Sequence, residues 1–371
     1  MPVHSSLLMP SREAALAIPR GELDLAWCPG CGFITNRAFE PDLLNYSVDY
    51  EDSQGFSPTF NDYAAALAQK LIDNYGIRGK TVLEIGCGKG DFLALLCRRG
   101  DNRGLGFDPA YPPGRQNAAN LQFVQEYYSE KHAAIAADLV CCRHTLEHIA
   151  SVGEFLRMLR RNLESRPDTL VLFEVPDTRR ILRECAFWDF YYEHCSYFTA
   201  GSLARLFLQA GFNLEEIYLA YAGQYLLALA RPAKIGGLPA PELKLEFPGP
   251  AEIREDIRYF QEHCSEITDS WSEKLQPGHR KKVVLWGSGS KAAGFLAILP
   301  PKHPIEFVVD INPHKHGKFM PGSGCRIVAP EYLPGYNPDE IIIMNPIYRE
   351  EIQRQLEKLG SRAEIVTIMD V

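Results

Sequence analysis

The sequence predicts an α/β protein with two sheets covered by helices, the second one smaller, preceded by an irregular N-terminal region. Three observations carry this expectation. Short apolar runs alternate with amphipathic, helix-period stretches between residues 56 and 235. The alternation stops in a Pro- and Gly-rich stretch at 232–250 and then restarts. In both runs an apolar strand meets a glycine turn and continues as a helix, at 81–85 before Gly86 and at 282–285 before Gly287.

Taken in order, residues 1–55 are rich in Pro, Ser and aromatics and contain the knuckle-like Cys28-Pro29-Gly30-Cys31-Gly32. The region 56–235 opens with a helix over roughly 59–75 and the strand at 81–85. The helix after the glycine turn has Phe92, Leu93, Leu95 and Leu96 on its apolar side. A strand at 104–107 ends at Asp108-Pro109, and further strands are expected at 137–142, 169–175, 214–221 and 225–230. Such alternation implies a parallel sheet covered by helices. In the region 236–371 a linker precedes a charged amphipathic helix at about 251–275, followed by strands at 282–285, 306–309 and 340–344.

At 371 residues the chain is too long for one ordinary domain. Its net charge of −8 argues against nucleic acid as a partner, because a phosphate backbone selects for basic faces. No apolar run is long enough to cross a bilayer, and the N-terminus lacks the continuous apolar core of a signal peptide, so a cytoplasmic protein is expected. The ten cysteines are scattered through predicted strands and helices, as small buried hydrophobes would be. Cys28 and Cys31 alone have metal-ligand spacing.

The most informative segment is Glu84-Ile85-Gly86-Cys87-Gly88-Lys89-Gly90. Its glycines permit positive φ and a close approach of backbone to ligand. They are spaced two apart, unlike the dinucleotide fingerprint G-x-G-x-x-G, and an acid precedes the first. An acid there suits a ligand carrying a cation, and S-adenosylmethionine carries an ammonium and a sulfonium. Asp108, ending the next strand, is placed for a carboxylate that accepts both ribose hydroxyls. Glu84, Gly86, Cys87, Gly88, Gly90 and Asp108 are therefore the expected cofactor residues.

Four stretches together resemble a known family across most of the chain. They are Cys28-Pro29-Gly30-Cys31-Gly32-Phe33, the cofactor loop, Tyr191-Tyr192-Glu193-His194-Cys195-Ser196-Tyr197-Phe198, and the start of the last region at Val283-Val284-Leu285-Trp286-Gly287-Ser288-Gly289. The three-domain sugar C-methyltransferases of deoxysugar biosynthesis are similar in all four. The cofactor loop is shared by many methyltransferases, whereas the Tyr-x-Glu-His-x-Ser-Tyr-Phe stretch is far more specific. The resemblance implies a zinc-binding N-terminal region, a class I methyltransferase domain at 56–235 and a Rossmann-like C-terminal domain at 236–371. The implied reaction methylates a ring carbon beside a ketone on a nucleotide-linked sugar. His194 is the implied general base, with Tyr191 and Glu193 beside it. The family's zinc region has two Cys-x-x-Cys pairs, and only the second is present here. His4 offers a third ligand and no fourth is evident, so a metal-free turn with two free thiols is expected.

The chemistry leads to the same segment. Carbon methylation needs a base for a proton α to a carbonyl and a donor for the oxyanion. Histidine has the natural pKa for that base, Glu193 would orient it, and Tyr191 would donate to the oxyanion. On the residues alone His194 reads equally well as a structural histidine in an aromatic cluster, and the resemblance decides for the base. Arg143-His144-Thr145-Leu146-Glu147-His148 follows a predicted strand, which could bring one side chain to the active site, but the expectation is the start of a helix that packs structurally. Tyr46 and Tyr50, with Phe56, read equally as walls of a substrate pocket or as anchors of the N-terminal region to the core, and Tyr127 or Tyr128 as a face for an adenine or as exposed loop tyrosines. The role of Asp177 is open. Gly287, Ser288 and Lys291 read as a phosphate cradle at a helix N-terminus, and equally well as part of a scaffold used only for packing. The alternatives to carbon methylation are O- or N-methyl transfer to another small molecule, or a nucleotide-binding module without methylation.

Overall fold

The computed structural model describes residues 1–233, 247–278, 280–300 and 302–370. Most of the linker at 232–250, and the boundary expected at 235/236, lie outside them.

The strand Thr81–Ile85 forms where expected, with four of its five residues buried, and sits inside a seven-stranded sheet. From one edge the order is Leu121–Val124, Arg103–Phe107, Thr81–Ile85, Leu139–Arg143, Leu170–Pro176, Tyr225–Pro232 and Phe212–Ala220. The expected parallel sheet is in fact mixed, because Tyr225–Pro232 runs antiparallel to both its neighbours. The cause is local. Residues 221–224 link the last two strands through Tyr221, Ala222 and Gly223, all at positive φ, and so short a connection can only return the chain antiparallel. Leu121–Val124 was not expected, since this edge strand is only half-buried and has no strong apolar run.

Strand order sets the location of the site. After Thr81–Ile85 the chain moves outward to Arg103–Phe107 and Leu121–Val124, then returns to the other side at Leu139–Arg143. Such a reversal opens a crevice at the carboxyl ends of the strands. The second sheet repeats the device with five parallel strands, Arg326–Val328, Phe307–Val309, Val283–Trp286, Glu340–Ile343 and Glu364–Thr367. Its reversal falls between Val283–Trp286 and Glu340–Ile343. Both reversals open onto one cavity of ≈ 1270 Å³.

Residues 1–55 are less irregular than their composition suggests. Arg12–Leu16 is a short helix capped by Ser11, and Leu25–Trp27 pairs with Ile34–Asn36. The third strand of that small sheet, Ser196–Tyr197, comes from the aromatic segment of the central region. Val3, Met9, Ala15 and Ile18 pack around the fully buried Tyr192, so the N-terminal chain is clamped onto that segment.

The helix Pro250–Lys274 buries only Ile253, Asp256 and Trp271. Trp271 reaches the core of the second sheet and donates its indole N–H to the carbonyl of Ile368 at 3.2 Å. That core is continuous with Ile181, Phe187 and Trp188 of the central region. The helix Ser290–Ile298 lies directly on the turn Phe187–Asp189. A Cβ at Gly294 would come within 2.8 Å of the Trp188 carbonyl, so only glycine permits this approach. No helix among the described residues is long and apolar enough to cross a membrane.

Candidate functional site

The glycine loop is built as its spacing predicts. Gly86, Gly88 and Gly90 have φ of 68°, 53° and 76°, all left-handed. A Cβ at Gly86 would lie 2.0 Å from the Thr145 hydroxyl, so the loop passes too close to the next strand's end for any side chain. Asp108 ties the loop down, accepting from the backbone N–H of Gly88 at 2.8 Å and of Ala110 at 2.7 Å. Burial pushes its carboxyl up to about 6 against those two donors. Glu84 is buried at the cavity wall, and its Oε2 has no hydrogen-bond partner. Burial drives its carboxyl up to about 8, opposed by Arg143. Cys87 is buried in the loop and its thiol is pushed well up by burial. An orphaned buried carboxylate beside a glycine cradle and a second carboxylate fits a cofactor that presents an ammonium and a ribose diol.

Of the two tyrosines considered for the adenine, Tyr128 is packed against Phe107 and takes a hydrogen bond from Asn162 at 2.9 Å. Tyr127 is two-thirds exposed at the cavity wall and is the free aromatic face.

Across the cavity lies the aromatic segment. Its backbone is cross-tied to the end of Leu139–Arg143: the N–H of Cys195 donates to the Glu147 carbonyl at 3.0 Å, and the Ser196 hydroxyl donates to the Ile149 carbonyl at 2.8 Å. His194 is 4% exposed and lines the cavity, its ring centre 4.1 Å from that of Tyr191. Burial, together with the cations of His148, His144 and Lys291, holds its imidazole well below the ordinary range, so it is neutral at neutral pH.

Two expectations are corrected here. Glu193 does not orient His194. Its carboxylate turns to the N-terminal chain, accepting from the Ser5 N–H at 2.8 Å and the Ser5 hydroxyl, with His4 Nδ1 at 3.1 Å. Adjacent residues of this segment point in opposite directions, which the sequence does not reveal. His4 is thereby spoken for as well, and its Nε2 accepts from the Asn45 N–H at 3.1 Å. Cys28 and Cys31 sit at the exposed tip of the small hairpin, where the Gly32 N–H donates to the Cys28 carbonyl at 2.9 Å. With His4 elsewhere, no third ligand groups with the two thiols among the described residues, and the set does not fit structural zinc.

The second correction concerns residues 143–148. They do not begin a helix. Leu146–His148 is a single 3-10 turn, and the helix starts only at Val152. The turn presents Glu147 and His148 to His194. His148 lies with its ring centre 4.7 Å from that of His194, and its Nδ1 is 2.8 Å from the Tyr46 hydroxyl. Glu147 Oε1 is 3.9 Å from His194 Nε2 and 3.6 Å from His144 Nδ1. The signal was present in the sequence: an acid and two histidines directly after a strand, at the sheet edge where ligands bind.

Beneath them lies a buried ionic cluster. Glu174 accepts from Arg143 Nε at 2.7 Å and lies 2.9 Å from His144 Nε2. Burial opposes its charge, but Arg143 and His144 outweigh it and hold the carboxyl at about 2. The reciprocal pull of Glu174 and Glu147 overcomes burial at His144 and lifts it to about 9. Tyr46 and Tyr50 line the cavity with ring centres 5.2 Å apart, and Phe56 lines it too. Asp177 caps the helix Thr178–Arg183 by accepting from the Arg180 N–H at 3.1 Å.

In the second sheet the turn after Val283–Trp286 mirrors the first. Gly287 has φ of 101°, and the Ser288 N–H donates to Asp310 at 2.9 Å as that of Gly88 does to Asp108. Lys291 is not the free cation that a phosphate cradle implies. Its ammonium is drawn onto Asp189, which Arg180 shares.

Two family models match the chain: a methyltransferase domain over residues 60–217 and a C-methyltransferase C-terminal domain over residues 252–368. The C-methyltransferase NovU of Streptomyces niveus is similar at 29% identity over 349 residues, spanning 89% of this chain and 81% of NovU. Among solved structures, the 1,6-didemethyltoxoflavin-N1-methyltransferase of Burkholderia thailandensis, with its substrate and S-adenosylhomocysteine bound, has 20% identity and a TM-score of 0.37 over 48% of this chain and 82% of that one. CalO1, a methyltransferase in calicheamicin biosynthesis in its S-adenosylhomocysteine-bound form, has 20% identity and a TM-score of 0.35 over 45% of this chain and 54% of that one. With the acid-led glycine loop and both domain models in one chain, this protein is an S-adenosylmethionine-dependent methyltransferase with a methyltransferase domain and a C-methyltransferase C-terminal domain.

Proposed function

We propose that the protein methylates a carbon next to the carbonyl of a nucleotide-linked ketosugar, with His194 as the base. The observation that carries this reading is a neutral, buried imidazole paired with Tyr191, on a cavity that also reaches the cofactor loop and the glycine turn of the second sheet. The C–H bond beside the ketone breaks and its proton goes to His194. The electron pair moves onto the ketone oxygen, where Tyr191 donates a hydrogen bond. S-adenosylmethionine, when bound, supplies the methyl electrophile to the carbon so activated. Glu84, Gly86, Cys87, Gly88, Gly90 and Asp108 hold it, Glu84 toward the ammonium and Asp108 toward the ribose. Tyr46 and Tyr50 wall the sugar. Gly287, Ser288 and Lys291 meet the nucleotide. Glu193 serves indirectly, fastening the N-terminal chain over the site through His4 and Ser5.

The test is incubation with S-adenosylmethionine and a panel of nucleoside-diphosphate-linked ketohexoses, with carbon NMR of the product. A new carbon–methyl bond beside the ketone is expected. A methyl group on oxygen or nitrogen, or no transfer to any of the panel, overturns the reading.

Asp108→Ala is expected to weaken S-adenosylmethionine binding by about 2 kcal/mol or more, roughly 30-fold in Kd. It removes the ribose acceptor and also frees the Gly88 N–H that shapes the loop. Glu84→Ala weakens binding too. Calorimetry finding wild-type affinity in both variants removes this loop from the cofactor site.

Lys291→Ala is expected to raise the KM for the nucleotide sugar by roughly fivefold, about 1 kcal/mol, with cofactor affinity unchanged. The effect is modest because Asp189 already neutralises the ammonium. An unchanged KM makes Lys291 purely a strut between the two sheets.

A further inference from the structure

We propose that Glu147 positions His194 and balances the imidazolium formed when it takes the α proton, an inference that rests on reading His194 as the base. Glu147 is 1% exposed, and neither of its carboxylate oxygens has a hydrogen-bond partner. A buried carboxylate left without donors is unfavourable unless a charge meets it. Its Oε1 is 3.9 Å from His194 Nε2, at ion-pair distance and longer than a hydrogen bond. Such a contact tightens when the ring becomes charged.

The neighbouring carboxylates are already committed. Glu193 is saturated by Ser5 and His4, Asp189 by Lys291 and Arg180, and Glu174 by Arg143 and His144. The backbone fixes the pair as well, because the Cys195 N–H donates to the Glu147 carbonyl at 3.0 Å. Each residue is therefore held against a bond that involves the other or its neighbour. The remaining groups facing the imidazole are His148, His144 and Lys291, all cations or potential cations that resist its protonation. Glu147 is the carboxylate at ion-pair distance from the ring, and because its Oε1 also lies 3.6 Å from His144 Nδ1 its charge is shared between the two histidines. With the ring proton on Nε2 directed at Glu147, Nδ1 keeps the free lone pair that accepts the substrate proton. The carbon-bound proton moves to Nδ1, the imidazolium is met by the carboxylate, and after methyl transfer the proton returns to water.

Glu147→Gln keeps the shape and removes the charge. With the ketohexose panel as substrate it is expected to lower kcat on the order of 10²-fold or more. The KM for the ketosugar and the Kd for S-adenosylmethionine stay within roughly twofold of wild type. Exchange of the α proton with deuterated water should fall in step with kcat, and Glu147→Asp should recover part of the rate. His194→Asn/Glu147→Gln should be no slower than His194→Asn alone. Nitrogen-15 histidine NMR of the free protein, which needs no substrate, should show the His194 proton on Nε2. If His194→Asn keeps its turnover, both readings fall. If His194→Asn is inactive while Glu147→Gln turns over normally, or loses only in KM, this inference alone falls. A proton on Nδ1 in the wild type also overturns it. So does loss of turnover on dialysis against EDTA with recovery on adding zinc, because Glu147, His148 and His194 present ligand atoms within 4.8 Å of one another and would then be metal ligands.

Discussion

His194→Asn is expected to lower kcat by about 10²–10⁴-fold while S-adenosylmethionine still binds with wild-type affinity. The side chain is 4% exposed, and asparagine is smaller but keeps a planar polar group in its place, so the fold should persist and the loss should fall on chemistry. The imidazole lies across the cavity from Glu84 and Asp108, which is why cofactor binding is spared. The acid limb of the wild-type kcat profile should lie below pH 6.5, because burial and the cations of His148, His144 and Lys291 hold His194 below that value. Tyr191→Phe should cost less, since it removes one oxyanion donor and leaves the base in place. Single-turnover kinetics beside a calorimetric titration measures both quantities. Near-normal turnover by His194→Asn refutes the assignment, and His148 is then the next candidate, its ring 4.7 Å away in the same cavity.

Glu174→Ala is expected to destabilise the fold by about 3–5 kcal/mol, the usual cost of removing one partner from a buried ion pair. Glu174 is fully buried between Arg143 and His144, and Arg143 is 8% exposed, so its guanidinium would lose its hydrogen-bonded counter-charge. Urea denaturation should show a lower midpoint at an unchanged m-value. The pH dependence has a definite sign. Glu174 is depressed from 4.5 to about 2, so its contribution is present above pH 4.5 and is lost as pH falls toward 2. His144 is raised from 6.5 to about 9, so its contribution is full below pH 6.5 and is lost as pH rises through 9. The wild-type cluster is therefore worth most between about pH 4.5 and 6.5, and the variant should lack the acid slope and keep only the part of the alkaline slope that Glu147 supports. Wild-type stability in Glu174→Ala would mean that Arg143 finds another partner.

The legible parts of this protein were those written in local, contiguous signals. An apolar run followed by Gly86-x-Gly88-x-Gly90 admits one backbone path, because positive φ at three glycines in five residues has few other uses. The strand Thr81–Ile85, the helix Pro58–Tyr75 and Asp108 at the end of the next strand all stand where periodicity put them. The aromatic segment was recognisable as a unit, and its place at the carboxyl edge of the sheet followed from the alternation of strands and helices.

Tertiary structure decided the roles within that frame. Whether Glu193 or Glu147 faces His194 depends on which way each side chain leaves a non-repetitive backbone, and no period in the sequence encodes that direction. Glu147 reaches His194 only because Cys195 bonds to its carbonyl across 48 residues. Lys291 reads as a phosphate ligand in one dimension and is in three an ion-pair partner of Asp189 as well, since the approach at Gly294 brings the helix Ser290–Ile298 onto the turn Phe187–Asp189. The antiparallel last hairpin likewise came from a four-residue turn. The sequence by itself determined most strands of the central sheet, the glycine turns and the cofactor loop, because each rests on neighbours a few residues apart. The pairing of charges in the cavity was left to the tertiary structure, because burial sets those energies and the long-range packing of three segments sets the burial.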